Sequence, residues 1–135
     1  MQMADSIKEN ARETWHLLSA GRLEPDGTFA AEAHIGADSP WFSGHFPNEP
    51  VLPGIALLAM VSDAVRRRQA EAGKNVRISN IRKVRFRLPI RPDSSLSIKL
   101  SFSEKDGVAV CQFRIALMGE PGETVCTGLM DAEPI

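Results

Sequence analysis

The spacing of apolar residues changes character three times along the chain. In residues 5–20, Ile7, Ala11, Trp15 and Leu18 recur at roughly helical intervals behind Asp5 or Ser6, and predict a helix or mixed lead-in. Two short runs follow and overlap its end, Leu17–Glu24 and Phe29–Ile35. Pro25-Asp26-Gly27-Thr28 stands between them. An Asp-Gly in that position predicts a hairpin, because glycine accepts the positive φ of a tight turn. Periodicity then disappears over residues 36–53, where Pro40, Pro47, Pro50 and Pro53 forbid a helix and hold the chain extended. After Pro53-Gly54, Ile55 to Ala72 contains no breaker. It is apolar on nearly every face through its first turns, turns polar from Arg66, and stops at Gly73.

The remainder has period two. Val84, Phe86, Leu88 and Ile90 alternate with Arg85, Arg87, Pro89 and Arg91, and Leu96, Ile98, Leu100 and Phe102 alternate with polar neighbours. Lys105-Asp106-Gly107 predicts a turn, Val108–Met118 a strand, Gly119–Gly122 a second turn, and Thr124–Met130 a last strand. The predicted order is two strands, one helix, four strands. This is an α+β domain, an antiparallel sheet with one apolar face wrapped around a long central helix. The apolar helix surface left over calls for a second subunit.

At 135 residues the chain makes one domain, residues 1–135, with enough core to fold without a disulfide or metal staple. Apolar residues at 43% and charged residues at 24% exclude disorder and low complexity. The longest apolar stretch, Val51 to Ser62, is broken by Pro53 and Gly54 and falls short of the ~20 residues of a membrane span. Met1 to Trp15 is charged and carries no signal-peptide core. Cys111 and Cys126 lack short Cys/His spacing, which argues against a disulfide scaffold, a zinc site or any metal, and for a reducing cytoplasm. The net charge of −1 conceals a division: residues 66–91 hold ten Lys/Arg against one acid, Glu71, for a formal +9, and the rest carries −10.

The candidate chemistry lies in the proline-rich segment. Trp41-Phe42-Ser43-Gly44-His45-Phe46-Pro47-Asn48-Glu49-Pro50-Val51-Leu52-Pro53-Gly54 sets a histidine in a braced loop, nine residues before a helix N-terminus. Histidine transfers protons near neutral pH. The first helical N–H groups, at Gly54 and Ile55, lack intrahelical partners and carry the positive end of the dipole. A glycine there admits a close carbonyl, so base and oxyanion-type donor stand side by side.

Gly-His-Phe-Pro-x-x-Pro-Val-Leu-Pro-Gly, from Gly44 to Gly54, resembles the signature of the 3-hydroxyacyl-[acyl-carrier-protein] dehydratases, which have the hotdog fold. Ile81 to Pro92 is similar to the family's strand leading into a Pro-Gly-Asp turn, though Pro92-Asp93-Ser94 stands in its place. The resemblance covers roughly residues 28–130. It implies a homodimer, or a higher oligomer of dimers, acting on a thioester held by acyl carrier protein or coenzyme A, with no cofactor. His45 would move the α-proton, the Gly54 amide would polarise the thioester carbonyl, and Phe46, Pro53 and Ile55 would line the substrate.

The family's helix carboxylate, fourteen positions after the histidine, is Ala59 here. Asp63, one turn further, is the nearest carboxylate, and two uses stand open: a stand-in acid, or an ion-pair partner for Arg66 or Arg67. Without an acid at that place, the alternative reading is an impaired protein that binds thioesters or carrier protein, or pairs with an active paralogue. A thioesterase on the same fold is a third reading, against which Ala59 counts equally. For the basic block the choice lies between a solvated face and a dock for an acidic carrier, with Arg66, Arg67, Lys83, Arg85 and Arg87 as its candidates. Nucleic acid fits poorly, since no aromatics interleave with the arginines on a wet face.

Overall fold

The protein is described from a computed structural model covering residues 17–19, 21–39, 42, 51–119 and 121–135. The proposed lead-in helix lies outside these residues up to residue 16. Its last part, Leu17–Leu18, is instead a two-residue strand, β1. Arg22–Leu23 forms β2, and both pair antiparallel with β3, Phe29–Ile35. The expected hairpin is therefore present, with its first arm in two pieces. Gly21 sits in the break, where a Cβ would fall 2.0 Å from the Phe29 ring, so the chain crosses that ring only without a side chain.

The helix α1 spans Gly54–Glu71 and closes with Gly73 at φ 78°. Four strands follow: β4 (Val76–Phe86), β5 (Ser94–Lys105), β6 (Val108–Leu117) and β7 (Thr124–Pro134). All pairings are antiparallel, in the order β1-β3-β5-β6-β7-β4, with β2 also on β3. The β5–β6 turn has positive φ at both Asp106 (54°) and Gly107 (80°), the geometry that matches strand twist in two-residue hairpins. The sheet curls around α1. Met60, Val61 and Val65 meet Leu96, Ile98, Leu100, Phe113, Ile115 and Met130 in one core cluster, each 1% exposed or less.

The strand after the helix differs from the expected one. The alternation over Val84–Arg91 predicts a strand there, whereas β4 occupies Val76–Phe86 and ends where that alternation is halfway through. Past Phe86, the Arg87 and Leu88 amides both turn onto the Val125 carbonyl, and Pro89 has no N–H with which to continue a ladder. Arg77, Arg82 and Lys83 are thus strand residues rather than connection, while Arg87 and Arg91 lie beyond the strand end.

Two bulges explain how β4 keeps its apolar side inward. The register against β7 slips between Ile78 and Asn80, and again between Arg82 and Arg85, where Lys83 takes φ 55°. Each extra residue inverts the alternation. Ile78 pairs with Ala132, Ile81 with Met130 and Phe86 with Cys126, all fully buried partners. Arg77, Arg82 and Arg85 fall on the other side. Without the second bulge, Arg85 would face the helix and Phe86 the solvent.

Candidate functional site

Pro53 caps α1 in an extended conformation (φ −61°, ψ 146°), with no side-chain cap. Its carbonyl accepts from the Ala56 and Leu57 amides. The Gly54 and Ile55 N–H groups have no acceptor among the described residues, and they stand at the positive end of an eighteen-residue helix. Leu52 ties the approach to the β4–β5 connection through its amide on the Ile90 carbonyl, 2.8 Å. A cleft of about 390 Å³ results, lined by Leu52, Gly54, Leu57, Phe86, Arg87, Leu88, Pro89 and Ile90. It joins an apolar wall, a cation and the Gly54 residue at the helix start.

A larger groove of about 880 Å³ runs along the flank of the helix. Ile55, Leu58, Ala59, Ser62 and Arg66 form one wall, and Val76 to Ile81 of β4 with Ile135 form the other. Among the described residues no Asp or Glu lines it. Ala59 is exposed in this groove, at the position where the resemblance places a carboxylate.

The site residues anticipated from sequence distribute unevenly. His45 and Phe46 lie outside the described residues. Gly54 is where the donor was expected. Pro53 acts as the cap, and Ile55 stands 72% exposed at the lip of the groove rather than in the cleft. Asp63 is absent from the groove lining. Its carboxylate, 15% exposed, pairs with Arg66 one turn on, so the ion-pair use has its partner in place.

Among the dock candidates, Arg66 is committed to Asp63, and Arg67 reaches the Leu18 carbonyl at 3.5 Å. Arg77 and Arg82 are likewise engaged, with Glu133 at 3.0 Å and Asp131 at 2.9 Å. Lys83, Arg85 and Arg87 are exposed and make no ion pair among the described residues. The basic block therefore contracts to these three around the end of β4, of which Arg87 lines the cleft. Arg68 packs over the Phe29 ring, 4.8 Å to its centre, and serves the fold.

Other groups fall away from the chemistry. Burial pushes the Cys111 thiol up to about 12 and Cys126 up to about 11, which leaves both un-ionised and inert. His34 bridges Ser95 and Asp93, each at 2.9 Å, across β3 and the start of β5. Among the described residues no group of three His, Cys, Asp or Glu is placed to hold a metal, and no helix is long and apolar enough to cross a membrane.

One member of the cleft escaped the pattern. Phe86 reads as an ordinary inward residue of an alternating strand, yet it is 54% exposed and lies against Gly54. The usable signal was the spacing of three between Ile78, Ile81 and Val84, which marks the bulges that deliver Phe86 to the helix end.

Comparison with known proteins bears on this arrangement. A family model described as ApeI-like, ApeI dehydratase, matches residues 22–128. The 3-hydroxyacyl-[acyl-carrier-protein] dehydratase FabZ of Chlamydia pneumoniae is 30% identical over 117 residues, covering 80% of this chain and 76% of the relative. Among solved structures, the dehydratase heterocomplex ApeI:P from Xenorhabdus doucetiae is similar with a TM-score of 0.67 at 24% identity, covering 86% of this chain and 96% of that one. A hypothetical thioesterase with coenzyme A from Streptococcus pneumoniae reaches a TM-score of 0.70 at 13% identity, covering 97% and 95%. At these identities the structural likenesses carry the fold alone, the hotdog.

Proposed function

The chain belongs to the ApeI-like dehydratase family and is an acyl-thioester dehydratase of the hotdog fold; we propose that it eliminates water from a 3-hydroxyacyl thioester at the N-terminal end of α1. The observation that carries this placement is the Gly54 amide, which has no acceptor among the described residues and lines an apolar cleft at the end of the Gly44–Gly54 motif. In this reading His45 takes the α-proton, and negative charge grows on the thioester oxygen, where the Gly54 N–H and the helix dipole stabilise it. The Cα=Cβ bond forms as the Cβ–O bond breaks, and the hydroxyl leaves as water with the proton that the His45 imidazolium hands on, which restores the neutral base. Electrons stay within the substrate, so the step needs no cofactor.

The substrate arm and its carrier are part of the same proposal. Lys83, Arg85 and Arg87 are exposed cations around the end of β4 that make no ion pair among the described residues, and Arg87 lines the cleft; they suit an acidic acyl carrier protein or coenzyme A phosphates. The open side of α1 and the outer edge of β4, which has no partner among the described residues, suit a second copy of the chain, giving a homodimer. The reading takes residues 1–135 as one domain in a cytoplasmic setting, in keeping with two unpaired thiols.

A second reading has its own observation, the exposed Ala59 in a groove that no acid among the described residues lines. Since Asp63 is held by Arg66, the proton for the leaving hydroxyl would come from a paralogue seated in the groove. The solved ApeI:P relative is itself a heterocomplex by its description.

Hydration of an enoyl thioester, the reverse reaction, tests both readings. His45→Ala is expected to lose roughly 10²–10⁴-fold in kcat. Asp63→Asn in an active chain reports whether that carboxylate takes part. A wild type without turnover that gains it on Ala59→Glu would establish the second reading and end the first. Arg85→Glu is expected to raise KM for carrier-bound substrate well beyond its effect on the coenzyme A thioester. Equal effects would remove the carrier from the proposal.

A further inference from the structure

The proposed donor at Gly54 has a neighbour whose part in the reaction nothing else assigns. A Cβ on Gly54 would lie 2.8 Å from Phe86 Cζ, 3.1 Å from Cε1 and 3.3 Å from Cε2. The tip of the ring therefore fills the space that any other side chain at this position would need. The glycine does not take positive φ, so backbone strain is not what requires it. The free space that sequence reasoning kept for a ligand carbonyl is, on this side of the residue, taken by Phe86.

Several features spend structure on that contact. The bulge at Lys83 inverts the alternation and swings Phe86 inward, opposite Cys126. β4 then stops at Phe86, and Arg87 and Leu88 both fold back onto Val125, which fixes the strand end. The ring nevertheless remains 54% exposed, so it gains little of the burial that ordinarily justifies a phenylalanine. Its exposed side lines the same cleft as Gly54.

We propose that Phe86 is a positioning residue, which through its ring on Gly54 fixes the helix N-terminus so that the Gly54 amide meets the thioester oxygen. The inference rests on the reading of Gly54 as donor given above. It predicts a non-obvious equivalence: adding a methyl at Gly54 and adding a hydroxyl at the para carbon of Phe86 insert atoms into the same gap from opposite sides. Both displace the amide relative to the cleft, and small displacements of an oriented group cost about 10–100-fold in rate.

The test is enoyl-thioester hydration by the full chain as wild type, Gly54→Ala, Phe86→Tyr, Phe86→Leu and Gly54→Ala/Phe86→Leu. Thermal unfolding of each variant establishes that it is folded. Gly54→Ala and Phe86→Tyr are each expected to lower kcat by about 10–100-fold with KM within about threefold. The double variant is expected to return to within about threefold of Phe86→Leu alone, since shortening the ring makes room for the methyl. An undiminished Gly54→Ala loss in the Phe86→Leu background overturns the proposal, because glycine is then needed for the ligand and not for the ring. So does a loss confined to KM. A chain that turns over no enoyl thioester either as wild type or with Ala59→Glu overturns the donor reading beneath it, and the two failures are thereby told apart.

Discussion

Helix α1 has two long faces, and they are built on different terms. Ala56, Leu57, Met60, Val61, Ala64 and Val65 lie under the curled sheet, each at most 3% exposed. Ile55, Leu58, Ala59, Ser62 and Arg66 look into a groove of about 880 Å³ whose far wall is an edge strand. The sheet closes the first face with matched apolar side chains, so that face belongs to the fold of one chain. On the second, apolar residues stand beside a strand whose outer backbone groups have no partner among the described residues, and such an edge is a ready pairing surface. The distinction separates residues that hold the domain from residues that wait for something else.

The largest effect is expected where this distinction is sharpest. Met60 is fully buried on the closed face, and Met60→Ala should cost about 2–5 kcal/mol in urea unfolding at any protein concentration. Ile81 stands 39% exposed on the groove side of β4. Ile81→Asp should leave the isolated chain folded, convert the proposed dimer to monomer in light scattering, and remove the concentration dependence of the unfolding midpoint. If Ile81→Asp proved as damaging as Met60→Ala in dilute solution, the open face would be part of the single-chain core after all.

The closed face has one polar residue, and it sharpens the comparison from the other side. Gln69 is 7% exposed, and its Oε1 is buried with no hydrogen-bond partner among the described residues. An orphaned acceptor costs about 1–3 kcal/mol, so Gln69→Met, which keeps length and flexibility, is expected to raise stability by about 1 kcal/mol. A destabilised Gln69→Met in the same urea titration would mean that the amide is satisfied in solution.

The closed face was legible in the sequence and much of the open one was not. Met60, Leu96, Ile98, Phe113 and Ile115 occupy positions that period and burial decide together, so helix and meander emerge from spacing alone. The proline-braced motif and Gly54 were legible for a different reason, as a specific string of residues. The placement of β4 was hidden, because bulges break period two and the clean alternation after Val84 outlives the strand. Arginines look equivalent in a charge tally, yet Arg82 and Arg77 are consumed by cross-strand acids some fifty residues away, a pairing only topology supplies. Asp63 could be matched to Arg66 from helical spacing, whereas the contact of Phe86 with Gly54 joins residues that no local pattern connects.

Those cross-strand pairs give the smallest of the expected effects and the one that distinguishes how the two sides are held. The closed face is held by apolar contacts indifferent to pH. β4, the wall of the groove, is held to β7 partly by Arg82–Asp131 and Arg77–Glu133 on the sheet's outer side. The side-chain hydrogen bond from Arg82 is the main cause that lowers the Asp131 pKa below its ordinary value. A carboxyl with a depressed folded-state pKa adds stability that is present above its unfolded pKa and is lost as pH falls through the folded one. Stability contributed by Asp131 should therefore decline on acidification below the ordinary aspartate range of about 4. Because the pair is partly exposed and screened by salt, the contribution is small. Measured between neutral and acid pH, wild type should lose slightly more stability than Asp131→Asn, and added salt should shrink the gap. A gap that persists in high salt would mean that the neutral hydrogen bond, and not the charge, holds the groove wall in place.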